Sequence, residues 1–120
     1  MKKLLVVVLM LTMMVGVVQA AEIQITAKDS KAMIEKNAKD PNFIIIDIRT
    51  PEEYADSHID KAINIDFYAD DFSDKLAKLD KNKTYMVYCR SGNRSGKAMP
   101  TFDSLGFKTV YHMVDGYKNY

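Results

Sequence analysis

Apolar residues in this chain come in short blocks separated by polar breaks, and the kind of block alternates along the sequence. After an almost unbroken apolar run from Leu4 to Val18, Ile23 to Ile25 forms a brief strand candidate. Thr26 suits a helix N-cap, with Asp29 three residues on as a weaker capping-box partner. The helix it opens is expected to bury Ala32, Met33 and Ile34 and to run out near Asp40 and Pro41. Phe43 to Ile46 is a continuous apolar run closed by Asp47, the pattern of a strand covered on both faces. Thr50-Pro51-Glu52-Glu53 places a cap, a proline at the first helical position and a glutamate at the third, so a short helix starts there and ends around Ser57 and His58. Ala62 to Ile65 reads as another brief strand. Phe72, Leu76 and Leu79 share a face at helical spacing, which predicts a helix over Asp70 to Leu79. A polar turn, Asp80 to Lys83, leads into a strand, Thr84 to Tyr88, that ends at Cys89. A helix from Ser95 follows, with Met99, Phe102 and Leu105 as its buried face and Gly106 at its C-terminus. Thr109 to Tyr111 is the last strand candidate.

Strands that alternate with helices predict an α/β fold: one domain with a mainly parallel central sheet and helices on both faces. A chain of 120 residues has room for one such domain. In parallel sheets ligands sit beyond the C-terminal ends of the strands. Two loops meet that description, one after Asp47 and one opened by Cys89.

The first twenty residues do not belong to the domain. Lys2 and Lys3 precede an almost unbroken apolar run of fifteen residues, Leu4 to Val18, and Val18-Gln19-Ala20 places small side chains before a cut after Ala20. This is the layout of a cleaved secretory signal peptide. The run is short for a permanent anchor, which needs roughly 20 apolar residues. The expected division is therefore a signal peptide over 1–20 and the domain over 21–120, with the mature protein in the periplasm and off the membrane. Removing Lys2 and Lys3, with no acid in the segment, takes the formal net charge from +1 to −1. A near-neutral chain gives no support to nucleic-acid binding, which a basic patch or stripe usually marks. A monomer is expected for a domain this small.

Cys89 is the sole cysteine, so an exported chain cannot use it for an internal disulfide. It opens Cys89-Arg90-Ser91-Gly92-Asn93-Arg94-Ser95, a tight loop with two arginines between a strand and a helix. Exposed N–H groups, a positive helix end and nearby cations all lower a thiol pKa, and the thiolate is the reactive form. The setting suits an anionic nucleophile that meets electrophilic sulfur or phosphorus.

Several fragments together resemble the rhodanese family of sulfurtransferases, in its small exported single-domain form. They are Ile45-Ile46-Asp47-Ile48-Arg49 with Glu53 and Tyr54; His58-Ile59 with Ala62-Ile63-Asn64-Ile65; Val87 to Ser95; Leu105-Gly106-Phe107; and Asp115-Gly116. The chain departs from the family pattern at Ser57 and Lys61, where glycines are usual. A positive φ at Lys61 would cost roughly 1 kcal/mol.

The resemblance implies a thiosulfate sulfurtransferase without cofactor or metal. Cys89 takes sulfane sulfur from a small anionic donor such as thiosulfate, holds it as a persulfide and passes it to a thiol or to cyanide. N–H groups from Arg90 to Ser95, including Ser91, Gly92 and Asn93, would line an anion nest, with Gly92 making the turn. Arg94 binds the donor or persulfide, or else closes the loop onto a carbonyl or carboxylate. Arg90 reaches solvent and raises the local potential. Ser95 donates to sulfur or caps the following helix. Asp47 and Arg49 would form a second contributing loop, with Arg49 ion-paired to Glu53 four residues on. His58 and His112 are given no role. Cysteine phosphatases space their loop cysteine and arginine by five residues; here four intervene between Cys89 and Arg94, which suits a sulfur atom better than a phosphate group. The alternative to an enzyme is a persulfide or polysulfide carrier that serves one partner protein at the cell envelope.

Overall fold

The computed structural model describes residues 22–120, so the signal-peptide reading of residues 1–20 lies outside the described residues. A five-stranded sheet in the order β1-β5-β4-β2-β3 forms the centre. The strands are β1 (Glu22–Ile25), β2 (Phe43–Asp47), β3 (Ile63–Asn64), β4 (Thr84–Tyr88) and β5 (Thr109–Met113). Each neighbouring pair is parallel. Helices α1 (Ala27–Lys36), α2 (Pro51–Asp56), α3 (Phe72–Ala77) and α4 (Asn93–Ser104) connect them, and a 3-10 turn, Tyr117–Asn119, follows β5.

The period-two alternation of the strands divides the core into two layers. Ile46, Tyr85, Val87 and Val110 face α3 and α4, where Phe72, Leu76, Met99 and Phe102 cover them. Ile45, Met86, Tyr88 and Met113 face the other way, against Ala27 of α1 and the Ile59–Ala62 segment. Both faces are thus dry, as a parallel sheet requires.

Local capping explains where α1 and α2 begin. Thr26 accepts the Asp29 N–H at 3.2 Å. At α2 the capping box is complete, with the Glu53 N–H donating to Thr50 Oγ1 and the Thr50 N–H donating to Glu53 Oε1, each at 3.3 Å.

Several expected boundaries move: β3 keeps only Ile63–Asn64 of the span Ala62 to Ile65, and β5 runs on past Tyr111 to Met113. Helix α1 ends at Lys36, short of Asp40: Asn37 leaves the helical conformation, its side chain adds a bond to the Met33 carbonyl at 2.8 Å, and the Ala38 N–H tightens onto the Glu35 carbonyl at 3.4 Å. Its buried residues are Ala27 and Ser30; Ala32 is exposed, and Met33 and Ile34 are half-buried. Helix α3 is confined to six residues and leaves Leu79 half-buried beyond it. Helix α4 starts at Asn93, two residues before Ser95, because Gly92 takes the N-cap position with φ 92°.

Lys61 has φ 66°, the left-handed conformation expected where the family has glycine. The strain of roughly 1 kcal/mol is offset in part as its ammonium donates to the Ala38 carbonyl at 2.8 Å.

Candidate active site

The register of β2 and β4 sets Asp47 beside Tyr88, so the two loops at their C-terminal ends adjoin. The Ile48 N–H donates to the Tyr88 carbonyl at 3.0 Å, carrying the pairing one step past the strands. Cys89 follows Tyr88 directly and is fully buried.

The loop from Cys89 is held by the chain after β5. The N–H groups of Tyr117 and Lys118 donate to the carbonyls of Cys89 and Arg90 at 2.9 and 3.0 Å. With those carbonyls turned outward, loop N–H groups are left to face the sulfur. Gly92 donates to Cys89 Sγ at 3.1 Å and Ser95 at 3.4 Å. Two glycines permit this close approach. A Cβ on Gly92 would lie 1.9 Å from the Val114 carbonyl oxygen, and one on Gly116 would lie 2.2 Å from that of Arg90. Both also have positive φ.

Burial alone would push the Cys89 thiol up, but the Ser95 hydroxyl and the N–H groups of Ser95, Ser91 and Gly92 outweigh it and hold the pKa below the ordinary value. Sulfur at the N-terminus of the 12-residue α4 also gains from the positive end of that helix. The N–H groups that stabilise a thiolate also suit a persulfide anion.

Ser95 is not a cap. As the third residue of α4 its hydroxyl lies 3.3 Å from Cys89 Sγ and 2.7 Å from His112 Nε2. His112 Nδ1 in turn lies 2.9 Å from Glu22 Oε1. His112 is therefore a member of the site that sequence spacing hid, since it stands 17 residues from Ser95. The last strand candidate stopped at Tyr111; β5 runs on to Met113, and this extension sets His112 on the same face as Val110.

Arg94 closes onto Glu53 of α2 by two bonds of 2.7 and 2.9 Å. Of the two roles open to it, this geometry is closure of the loop through a carboxylate. Arg94 donates so well that the Glu53 carboxyl is lowered to about 2. The guanidinium also lies 5.7 Å from the ring centre of Tyr68, which is exposed. Arg90, Ser91 and Asn93 form the exposed outer wall of the loop.

The expected pair of Arg49 with Glu53 does not form. Arg49 precedes the Thr50 cap, so it stands outside α2 and the helical i,i+4 neighbour rule does not reach it. It binds Asp47 Oδ2 at 2.7 Å and donates to the Ser57 carbonyl at 2.6 Å. Tyr88 Oη donates to the same Asp47 Oδ2 at 2.8 Å and accepts the Ile59 N–H at 3.1 Å. Asp47 and Arg49 are thus a buried brace beneath the second loop, away from solvent. His58 stacks on Tyr54 with ring centres 3.7 Å apart. Among the described residues, no group of three or more His, Cys, Asp or Glu is placed to hold a metal ion.

A hollow of about 470 Å³ lies between α1 and β2, lined by Ile34, Phe43, Ile59, Lys61 and Tyr120, and does not include Cys89. Its lining carries no cysteine. The chemistry, and not the volume, marks the site.

A parallel α/β domain with a single cysteine in a loop of inward N–H groups is the architecture of a class of covalent-transfer proteins. The rhodanese-like domain family matches residues 26–120, and the chain belongs to it. The putative sulfurtransferase YtwF of Bacillus subtilis is 40% identical over 79 residues, covering 66% of this chain and 75% of that protein. The thiosulfate sulfurtransferase PspE of Escherichia coli is 38% identical over 65 residues, covering 54% of this chain and 62% of its own length. A tRNA uridine(34) hydroxylase of Sodalis glossinidius is 36% identical, but this chain spans only 25% of it. Among solved structures, the rhodanese-like domain of the Anabaena Alr3790 protein superposes with TM-score 0.68 at 27% identity, covering 80% of this chain and 70% of that one. Sulfurtransferase activity is therefore supported at the level of the family.

Proposed function

We propose that this protein is a thiosulfate-type sulfurtransferase with Cys89 as its nucleophile. The observation that carries the reading is Cys89 Sγ receiving the Gly92 and Ser95 N–H groups at 3.1 and 3.4 Å inside the family's loop. The Cys89 thiolate attacks the outer sulfur of thiosulfate; the S–S bond of the donor breaks and sulfite leaves with the bonding pair. Cys89 then holds a persulfide, whose terminal negative charge the same N–H groups stabilise. A thiolate or cyanide attacks that terminal sulfur and regenerates Cys89, giving two-step, ping-pong kinetics. Arg90, on the exposed wall of the loop, supplies the positive potential that draws an anionic donor, while Arg94 holds the loop closed on Glu53. The thiosulfate:glutathione sulfurtransferase of Saccharomyces cerevisiae, 34% identical over 94 residues, supports a small-thiol acceptor. The basic start and the apolar run Leu4 to Val18 support export, and the mature domain is read as a periplasmic monomer.

Intact mass spectrometry after incubation with thiosulfate, then with cyanide, tests the reading. The expected result is a gain of one sulfur atom that cyanide removes and that Cys89→Ser abolishes without loss of fold. Sulfur gained from polysulfide but not from thiosulfate would replace the enzyme with the carrier.

A further inference from the structure

We propose that Ser95, His112 and Glu22 form a proton relay that ionises Cys89 and delivers its proton to the β1 edge of the sheet. The inference rests on Cys89 being the nucleophile, as read above. Its basis is an unbroken chain of contacts: Cys89 Sγ to Ser95 Oγ at 3.3 Å, Ser95 Oγ to His112 Nε2 at 2.7 Å and His112 Nδ1 to Glu22 Oε1 at 2.9 Å. Cys89, Ser95 and His112 are all buried, so water does not offer the thiol a competing acceptor.

The direction of the bonds follows from the partners. The Glu22 carboxylate can only accept, so it holds the proton of the neutral imidazole on Nδ1 and leaves Nε2 with a lone pair. The Ser95 hydroxyl donates to that lone pair, and its oxygen then faces the Cys89 thiol as an acceptor. Ser95 Oγ also lies 3.2 Å from the Gly92 carbonyl, a longer contact than that to His112. When the Cys89 S–H bond breaks, its proton goes to Ser95 Oγ as the Ser95 proton passes to His112 Nε2. Serine is unchanged, and the products are a thiolate and an imidazolium. The thiolate accepts from the Ser95 hydroxyl, and the imidazolium lies between Ser95 and the Glu22 carboxylate.

The far end of the relay reaches water. The Glu22 side chain is 28% exposed. It lines a hollow of about 270 Å³ together with Gly96, Met99, Phe102, Asp103 and Val110. The ionisable groups around the relay are Glu22 on β1, Asp103 on α4 across that hollow, and Cys89 itself, with Arg94 acting on Cys89 from the loop. Gly96 lets α4 lie close over His112: a Cβ there would sit 3.6 Å from His112 Cε1. The proton thus leaves through β1 and α4, while the donor meets the loop wall formed by Arg90, Ser91 and Asn93.

The test is the rate of iodoacetamide alkylation against pH, which reads Cys89 alone because it is the sole cysteine. It is run on the wild type, His112→Gln, Glu22→Gln, Ser95→Ala and the Ser95→Ala/His112→Gln double variant. His112→Gln should move the midpoint up by about one pH unit, lowering the rate about tenfold on the acid side. The high-pH plateau, which reports access to the sulfur, should stay unchanged. Glu22→Gln should shift the midpoint in the same direction, and it carries the test if His112→Gln does not fold. In the Ser95→Ala background the His112 substitution should add nothing. Midpoints that coincide with the wild type, or a His112 effect undiminished without Ser95, would overturn the relay. Because no sulfur donor is used, a protein that gains no sulfur yet shows the shift would overturn the transfer reading and leave the relay standing.

Discussion

Glu53→Gln isolates the clamp that ties the cysteine loop to α2. Glutamine at the third helical position keeps a capping-box side chain for Thr50, so the substitution removes charge and spares the helix start. The Arg94 guanidinium lowers the Glu53 carboxyl from 4.5 to about 2. At about 1.4 kcal/mol per pH unit this caps the contribution near 3 kcal/mol. The Glu53 side chain is 28% exposed, and solvent screening reduces the expected loss to about 1–2 kcal/mol. The sign is set by linkage. A carboxyl whose folded pKa is depressed contributes stability above its unfolded pKa, and loses it as pH falls through the folded value. The difference between wild type and Glu53→Gln in urea unfolding should therefore be full at pH 7, shrink below 4.5 and close near 2. Turnover should fall as well, and Arg94→Ala should cost no more when Glu53 is already glutamine, because both break the same clamp. Equal stability at pH 7, a gap that persists undiminished in acid, or additive losses of turnover would refute this account.

Gly92→Ala and Gly106→Ala separate lack of space from backbone strain. Both glycines have positive φ, but only Gly92 would drive a Cβ into backbone, at 1.9 Å from the Val114 oxygen. Gly106→Ala should cost about 1 kcal/mol and Gly92→Ala about 3 kcal/mol or more with loss of sulfur transfer; similar losses in thermal unfolding would contradict the argument. Tyr88→Phe leaves the buried Ile59 N–H without its acceptor and Asp47 without one donor. About 2 kcal/mol should be lost, seen as a fall in melting temperature on the order of 10 °C. An unchanged melting temperature would mean the brace relaxes freely.

Local signals were legible wherever neighbours in sequence are also neighbours in space. The capping box at Thr50 and Glu53, the apolar run of β2 and the turn at Gly92 all act within a few residues, so propensity and spacing reveal them. Cys89 at the end of β4 was legible for the same reason: an apolar strand, a reactive side chain and a polar loop occur in one stretch. The end of α1 was not, because Pro41 marks where a helix must have stopped while the chain already leaves the helix at Asn37.

What the sequence by itself determined is the alternation of strands and helices, and the place of Cys89 between an apolar strand and the polar loop that surrounds it. Only the tertiary structure decided which partner each charged and polar side chain took. Arg49 turned to Asp47 rather than Glu53, and Glu53 took Arg94 from 41 positions away. Ser95 turned inward to His112, and His112 reached Glu22 across 90 positions. The physical reason is that a buried polar group must find a hydrogen bond, and the partners within reach are set by the parallel register that brings β1, β5, β4 and β2 side by side.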